Sequence, residues 1–147
     1  MSMFNTSFEM QLRILLILSE TTDTPMSADM IMVIDFLTVY GAEFGICEAN
    51  MHGESRYKYS EIASRRELVQ KALRELVQKS LVEVKLSQGF QYAITDSGFE
   101  YIFELESRYA ETYRYTVRRV LETSRGKTEF DLFRSILLRS VACVEGK

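Results

Sequence analysis

The chain has 147 residues, 46% of them hydrophobic, which is enough to build the core of one domain. A single proline and seven glycines leave little room for disordered linkers, and the longest apolar runs, 14–18 and 30–37, are too short to cross a bilayer. Because the two cysteines form no spaced pair and no secretory signal is recognisable, we expect a soluble protein in a reduced, cytoplasmic setting.

The net charge of −3 is distributed unevenly along the chain. Residues 1–54 carry eight acidic side chains against one base, Arg13, whereas residues 55–147 carry seventeen bases against thirteen acids. Such a division is typical either of opposed acidic and basic surfaces or of two halves that pair with each other. Since neither half contains a dense run of like charge, we favour internal pairing.

Two apolar helices are predicted in the acidic half. Residues 8–19 are apolar around most of a helical circumference, which indicates burial between other elements rather than a surface position. A second helix is predicted over 28–40, with Ser27 as its N-cap and Gly41 at its C-terminus. Residues 42–59 show no regular period and are predicted to be irregular.

A helix, a hairpin and another helix are predicted next. Ser64 and Glu67 form a capping-box pattern at the start of a helix that is predicted to end before Ser80. Residues 82–86 and 90–94 alternate apolar and polar side chains around a short turn, as the strands of a β-hairpin do. This order predicts a mainly α fold with a small β-hairpin, in a winged helix-turn-helix-like domain.

After the hairpin, one long helix is predicted over 98–124, followed by a C-terminal helix capped by Thr128. The expected domains are a winged-helix domain over 1–125, which includes the long helix, and a C-terminal helical extension over 126–147. An apolar stripe follows the long helix and exceeds what a short hairpin needs for its core. We expect this stripe to contact a partner protein. It comprises Ile102, Leu105, Tyr109, Tyr113 and Val117. The alternative is that the C-terminal helix folds back over the stripe.

Winged helices that bind DNA use the outward face of the helix before the wing. Here that face offers two bases, two amides and the acid Glu67, and the wing adds a single lysine. This face carries little positive charge for a surface that enters a DNA groove, so we expect weak nucleic-acid contact at best. The candidate residues are Gln70, Lys71, Arg74, Gln78 and Lys85.

Arg65 and Arg66 project nearer to the apolar side of the same helix. Two arginines in a first helical turn oppose the helix macrodipole, so we expect both to have acidic partners. The candidates for these structural ion pairs are Asp35 and Glu43. The alternative is that the two arginines face a ligand.

The residue inventory favours a protein that is not an enzyme. His52 is the only histidine and Cys47 the nearest thiol, and a nucleophilic pair would need hydrogen-bond reach and a third, orienting group. One histidine and two cysteines are too few for a typical zinc site, and no glycine-rich phosphate loop is present. We therefore expect no catalytic residue, metal or cofactor, no small-molecule substrate and no membrane partner.

Six short motifs occur in an order that resembles a known family, over roughly residues 8–115. They are Asp35-Phe36-Leu37, Phe44-Gly45-Ile46, Asn50-Met51-His52-Gly53, Ser60-Glu61, Arg65-Arg66 and Ala72-Leu73-Arg74-Glu75-Leu76-Val77. The chain resembles the small middle component of ABC-three-component systems, the group to which Lamassu-type bacterial defence operons belong. By this resemblance His52 and Gly53 shape a loop and bind no ligand.

The resemblance implies that the chain is a non-catalytic adaptor subunit. It implies a winged-helix protein encoded between an SMC/Rad50-like ATPase and an effector, often a nuclease, in a complex that recognises phage or plasmid DNA. The competing hypothesis is a dimeric winged-helix transcription regulator, in which the helix from Gly98 is the dimerisation element. An adjacent gene for a coiled-coil ATPase would favour the adaptor.

Overall fold

A computed structural model describes residues 6–41, 55–105, 107–134 and 136, with the backbone alone for residues 41 and 55–61. The described residues form a mainly α fold with one antiparallel β-hairpin, which confirms the predicted class. The elements are α1 (Ser7–Ser19), α2 (Ala28–Gly41), α3 (Ser55–Gln78), β1 (Val82–Leu86), β2 (Phe90–Ile94), α4 (Asp96–Phe103) and α5 (Arg108–Thr123). Residues 129–134 are also helical.

The central element is α1, which packs against each of the other four helices. Its residues from Met10 to Leu18 are buried except for Leu12, which is half-buried, because apolar side chains surround most of its circumference. Thr6 caps its N-terminus by accepting a hydrogen bond from the Glu9 amide at 3.1 Å. The predicted burial of this helix is confirmed. In the described parts of the chain, no helix has the length and apolar content needed to span a membrane.

The third helix begins nine residues before the predicted capping box. Ser64 is exposed within α3, so its assignment as an N-cap is wrong. Residues 55–63 contain no glycine or proline, and nothing in them interrupts a helix. The helix ends in a Schellman motif, in which the Leu81 amide donates to the Leu76 carbonyl at 3.0 Å and Ser80 takes a positive φ of 64°.

The hairpin has the predicted strands, with Val82 opposite Ile94 and Leu86 opposite Phe90. Gln88 and Gly89 both take positive φ in the turn, which a glycine adopts without strain. Met26, which precedes α2, adds one more bridge on the other side of β2. Its amide donates to the Tyr92 carbonyl at 2.9 Å and its carbonyl accepts from the Tyr92 amide at 2.7 Å. Strand β2 therefore lies between β1 and the Met26 segment.

The single long helix predicted over 98–124 is wrong, because the chain forms α4 and α5 with a break between them. Ser107 is extended, with φ −155°, and its side chain accepts a hydrogen bond from the Ala110 amide at 3.0 Å. A serine that caps in this way competes with helix continuation, and an apolar spacing does not reveal the interruption. Thr95 is the N-cap of α4, because its side chain accepts a hydrogen bond from the Gly98 amide at 3.0 Å.

Candidate functional site

A carboxylate at the centre of the molecule binds side chains from three other helices. Asp35 on α2 accepts from Arg13 of α1 through Oδ1 at 2.9 Å, and from Arg65 of α3 through Oδ2 at 2.5 Å. The Tyr113 hydroxyl of α5 donates to Oδ1 at 2.5 Å. We call these four residues the Asp35 cluster. Each is 5% exposed or less, so the cluster joins four helices inside the core.

The electrostatics of the Asp35 cluster shift the pKa values of two of its members, Arg13 and Tyr113. Burial by itself would lower the pKa of the Arg13 guanidinium, but the charge and hydrogen bond of Asp35 outweigh it and raise that pKa. Burial, followed by the charge and hydrogen bond of Asp35, raises the pKa of Tyr113 well above its ordinary value. Arg13 therefore stays charged and Tyr113 stays neutral, as a fixed structural joint requires.

Arg65 also lies over two aromatic rings of α2. Its guanidinium carbon is 5.7 Å from the centre of the Phe36 ring and 5.9 Å from that of Tyr40. The two rings are themselves 4.7 Å apart. A guanidinium in contact with aromatic faces gains cation–π stabilisation in addition to its ion pair. The predicted pair of Arg65 with Asp35 is confirmed.

Arg66 has a different partner and a different environment. It pairs with Asp29 at 2.9 Å, and the two side chains are 44% and 39% exposed. The predicted acidic partner is thus present, although it lies at the start of α2 and near solvent. Glu43, the other candidate, lies outside the described residues.

The sequence reasoning missed Arg13 and the hydroxyl of Tyr113 as members of the Asp35 cluster. A signal for Arg13 was available, since it is the only base among residues 1–54 and lies in a helix that is apolar on most sides. A charge in such a helix needs a buried partner of opposite charge, and Asp35 is likewise a charge within the apolar helix α2. An ion pair between Arg13 and Asp35 could therefore have been predicted.

Replacing Tyr113 with phenylalanine should lower the free energy of unfolding by about 1.5 kcal/mol near neutral pH, because it removes a hydrogen bond to a charged group. The raised pKa means that the folded state keeps the tyrosine proton, while the unfolded chain loses it above about pH 10. The stabilisation is therefore complete below about pH 10 and decreases as the pH rises further.

Urea unfolding of wild type and Tyr113→Phe at about pH 8 and pH 10.5 measures this effect. The difference in the free energy of unfolding between the two proteins should be smaller at the higher pH. Tyr101→Phe is the matched control, because it removes the same hydroxyl from an exposed side chain outside the Asp35 cluster. A difference that is constant with pH would contradict the assignment of Tyr113 to the Asp35 cluster.

The predicted partner stripe is not an exposed surface, and that prediction is wrong. Ile102, Tyr113 and Val117 are buried in the core of the chain, and Leu105 is half-buried. Only Tyr109 is exposed, and its ring stacks on Tyr113 at 6.0 Å. The covering elements include α1 and α2, against which α5 packs. The stripe therefore has the ordinary role of an apolar helix face, which is to form the core.

The candidate nucleic-acid residues do reach the surface. Four of them, Gln70, Lys71, Arg74 and Gln78, lie on one exposed face of α3. The fifth, Lys85, is exposed on β1. Among the described residues, no group of three or more His, Cys, Asp or Glu side chains is placed to hold a metal ion. Cys47 and His52 lie outside the described part of the chain.

One face of the hairpin is apolar from its base to its tip. Directly opposed residues of an antiparallel pair project to the same face, so three cross-strand pairs form what we call the apolar ladder. The pairs are Val82 with Ile94, Val84 with Tyr92, and Leu86 with Phe90. Along β1 the exposed fraction rises from 2% at Val82 to 39% at Val84 and 77% at Leu86, and Phe90 is 62% exposed. The apolar ladder therefore begins in the core at Val82 and ends at Leu86 and Phe90, whose side chains are mostly exposed to solvent.

Comparison with known proteins identifies the family of the chain. No curated protein and no solved structure matches it. A family model described as ABC-three component (ABC-3C) system Middle Component 2 matches residues 3–143. This span extends beyond the motifs that carried the resemblance and includes both the Asp35 cluster and the apolar ladder. The chain therefore belongs to the Middle Component 2 family of ABC-three component systems.

Proposed function

We propose that the chain is a non-catalytic adaptor subunit of a bacterial anti-phage or anti-plasmid defence complex. In this role it bridges an SMC/Rad50-like ATPase and an effector, such as a nuclease, encoded in the same operon. Membership of a middle-component family supports a place in a multi-subunit system. The polar groups of the Asp35 cluster bind one another inside the core, which suits a scaffold.

The observation that carries this proposal is the exposed end of the apolar ladder. Leu86 and Phe90 form the outermost pair of the hairpin and are mostly exposed. A wing that grips DNA needs basic side chains for phosphates, whereas the one base on these strands, Lys85, projects to the opposite face. Together with Val84, which is 39% exposed on the same face, Leu86 and Phe90 form one contiguous apolar patch, and such patches are typical of contacts with other proteins.

We further propose a winged-helix arrangement for residues 1–125, with residues 126–147 as a C-terminal extension. Its support is the order α1, Met26 bridge, α2, α3 and hairpin, in which the bridge supplies the short strand beside β2. In this arrangement α3 is the helix before the wing. Its exposed face would make weak and sequence-independent contact with DNA, because lysine and arginine are few there.

Replacing both Leu86 and Phe90 with serine should weaken assembly with the ATPase and effector at least tenfold. Burial of one such side chain contributes about 1.5–3 kcal/mol, and about 1.4 kcal/mol corresponds to a factor of ten in affinity. The matched control replaces Lys85 and Gln91 with serine, since these residues oppose each other on the other face of the same hairpin. Pull-down of the two purified partners by each variant measures the effect. Equal assembly by both variants would refute the role of the ladder.

The second candidate function is the dimeric transcription regulator, which the exposed amides and bases of α3 support. The same preparations separate the two functions. A regulator would bind one promoter-like duplex with nanomolar affinity as a dimer and would ignore the ATPase and effector. An adaptor would assemble with both proteins and bind any duplex weakly.

A further inference from the structure

A groove of about 160 Å³ opens on the side of the molecule where α1 meets the end of α3 and Tyr101 of α4. Its lining is mainly apolar, with Gln11 and Lys79 as the polar residues among those described. The apolar lining residues are Phe8, Leu12, Leu15, Leu76, Leu81 and Tyr101. Leu15 and Leu76 are fully buried and form the floor, while Phe8 and Tyr101 are 54% and 47% exposed at the mouth. A cavity of about 150 Å³ accommodates a benzene ring, so the groove has the size of one large apolar side chain.

A chain of hydrogen bonds positions a lysine at the edge of the groove. Lys79 Nζ donates to Gln11 Oε1 at 2.8 Å, and Gln11 Nε2 donates to Glu75 Oε1 at 2.5 Å. Ser7 also donates to Glu75 Oε1, at 2.6 Å. The hydrogen bond from Ser7, aided by the charges of Lys71 and Lys79, lowers the pKa of the Glu75 carboxyl. Glu75 is thus an anion that already accepts two hydrogen bonds on one oxygen.

The electrostatics of the groove favour an acidic partner. Among the described residues that line the groove, Lys79 is the one charged residue, and Gln11 accepts a hydrogen bond from one of the three N–H donors of its ammonium group. The nearby carboxylate of Glu75 is held by Ser7 and Gln11, and Lys71 adds a second positive charge beside it. A carboxylate brought to the mouth of the groove can therefore pair with the ammonium of Lys79, whose side chain is exposed.

We propose that this groove is a docking site for a partner protein, which inserts one large apolar side chain (leucine, methionine or phenylalanine) and places a carboxylate on Lys79. The proposal rests on the proposed adaptor function, because the partner is then the ATPase or the effector of the same system. An apolar anchor in a pocket supplies most of the affinity, and the charge pair sets the orientation. The groove lies on α1, α3 and α4, so this contact is separate from the apolar ladder.

Reversing one charge tests the proposal. Lys79→Glu should weaken binding of the full-length chain to the purified partner at least tenfold, whereas Lys127→Glu, which makes the same charge change at an exposed site in another region, should have no effect. Replacing the partner's carboxylate with lysine should restore binding to Lys79→Glu. Lys79→Gln is the milder variant and should weaken binding without affecting the melting temperature. Equal binding by wild type and Lys79→Glu would overturn the proposal.

A photo-crosslinking residue at position 101 tests which chain occupies the groove. In the assembled complex it should link to a partner segment that has a leucine, methionine or phenylalanine within one helical turn of an aspartate or glutamate. A link to residues of the same chain would overturn the proposal, because the groove would then hold the protein's own residues. A wild-type chain that does not assemble at all would refute the adaptor function itself, whereas assembly unaffected by Lys79→Glu would refute the groove alone.

Discussion

Replacement of Asp35 with asparagine is expected to lower the free energy of unfolding by about 3–5 kcal/mol. The carboxylate binds Arg13 and Arg65, and both guanidiniums are almost completely buried. An asparagine would leave them without the charge that compensates for their loss of water, and its amide donors would face theirs. A loss of this size is a large part of the total stability of a single domain.

The matched control is Asp29→Asn. It breaks an ion pair of the same chemistry, also at 2.9 Å, but this pair with Arg66 is exposed and should contribute only about 0–1 kcal/mol. Urea unfolding of the two variants at one salt concentration gives both values directly. If the two substitutions lower the free energy of unfolding by the same amount, the claim that the Asp35 cluster stabilises the packing of four helices would be wrong.

Replacement of Gly98 with alanine is expected to cost about 3 kcal/mol, the upper end of the range for overpacking. A Cβ at this position would overlap the Leu81 carbonyl oxygen and approach Ile94 Cγ1 to 2.9 Å. Alanine is favoured over glycine within a helix by about 1 kcal/mol, but the obstacle is backbone at the base of the hairpin and cannot rotate away. The close approach of α4 to the hairpin therefore depends on the missing side chain.

Ser97→Ala is the control for Gly98→Ala. Ser97 is exposed in the first turn of the same helix, so its replacement should change the melting temperature little. Thermal unfolding followed by circular dichroism distinguishes the two variants. A Gly98→Ala variant as stable as wild type would show that α4 can move away from Leu81 at no cost. That result would contradict the claim that the packing of α4 depends on the missing side chain.

Features that a local pattern determines could be predicted from the sequence. The burial of α1 follows from apolar side chains on most of its faces, and the hairpin follows from alternation around a turn with Gly89. Both features depend on residue types within one or two turns of chain. The pairing of Arg65 with Asp35 was predicted from a wrong premise, since Arg65 lies inside α3 and not in its first turn; the burial of Arg65 is what requires an acidic partner.

Features that depend on contacts between distant segments could not be predicted in the same way. The break before α5 depends on a cap at Ser107, and a serine within a helical pattern forms such a cap only in some tertiary contexts. The bridge of Met26 to Tyr92 joins a loop residue to a strand far along the chain and has no local signature. The apolar stripe of α4 and α5 was assigned to a partner because one long helix was expected there, and all of its residues except Tyr109 are buried or half-buried against the core.

The adaptor function depends on one requirement, which is that the chain connects the other two components. Co-expression of the ATPase and the effector, with and without this chain, followed by size-exclusion chromatography with light scattering, tests it most directly. We predict one particle that contains all three proteins, and no association of ATPase with effector when the chain is omitted. An ATPase–effector complex that forms equally well without the chain, or a chain that elutes only as a separate dimer, would contradict the proposed function.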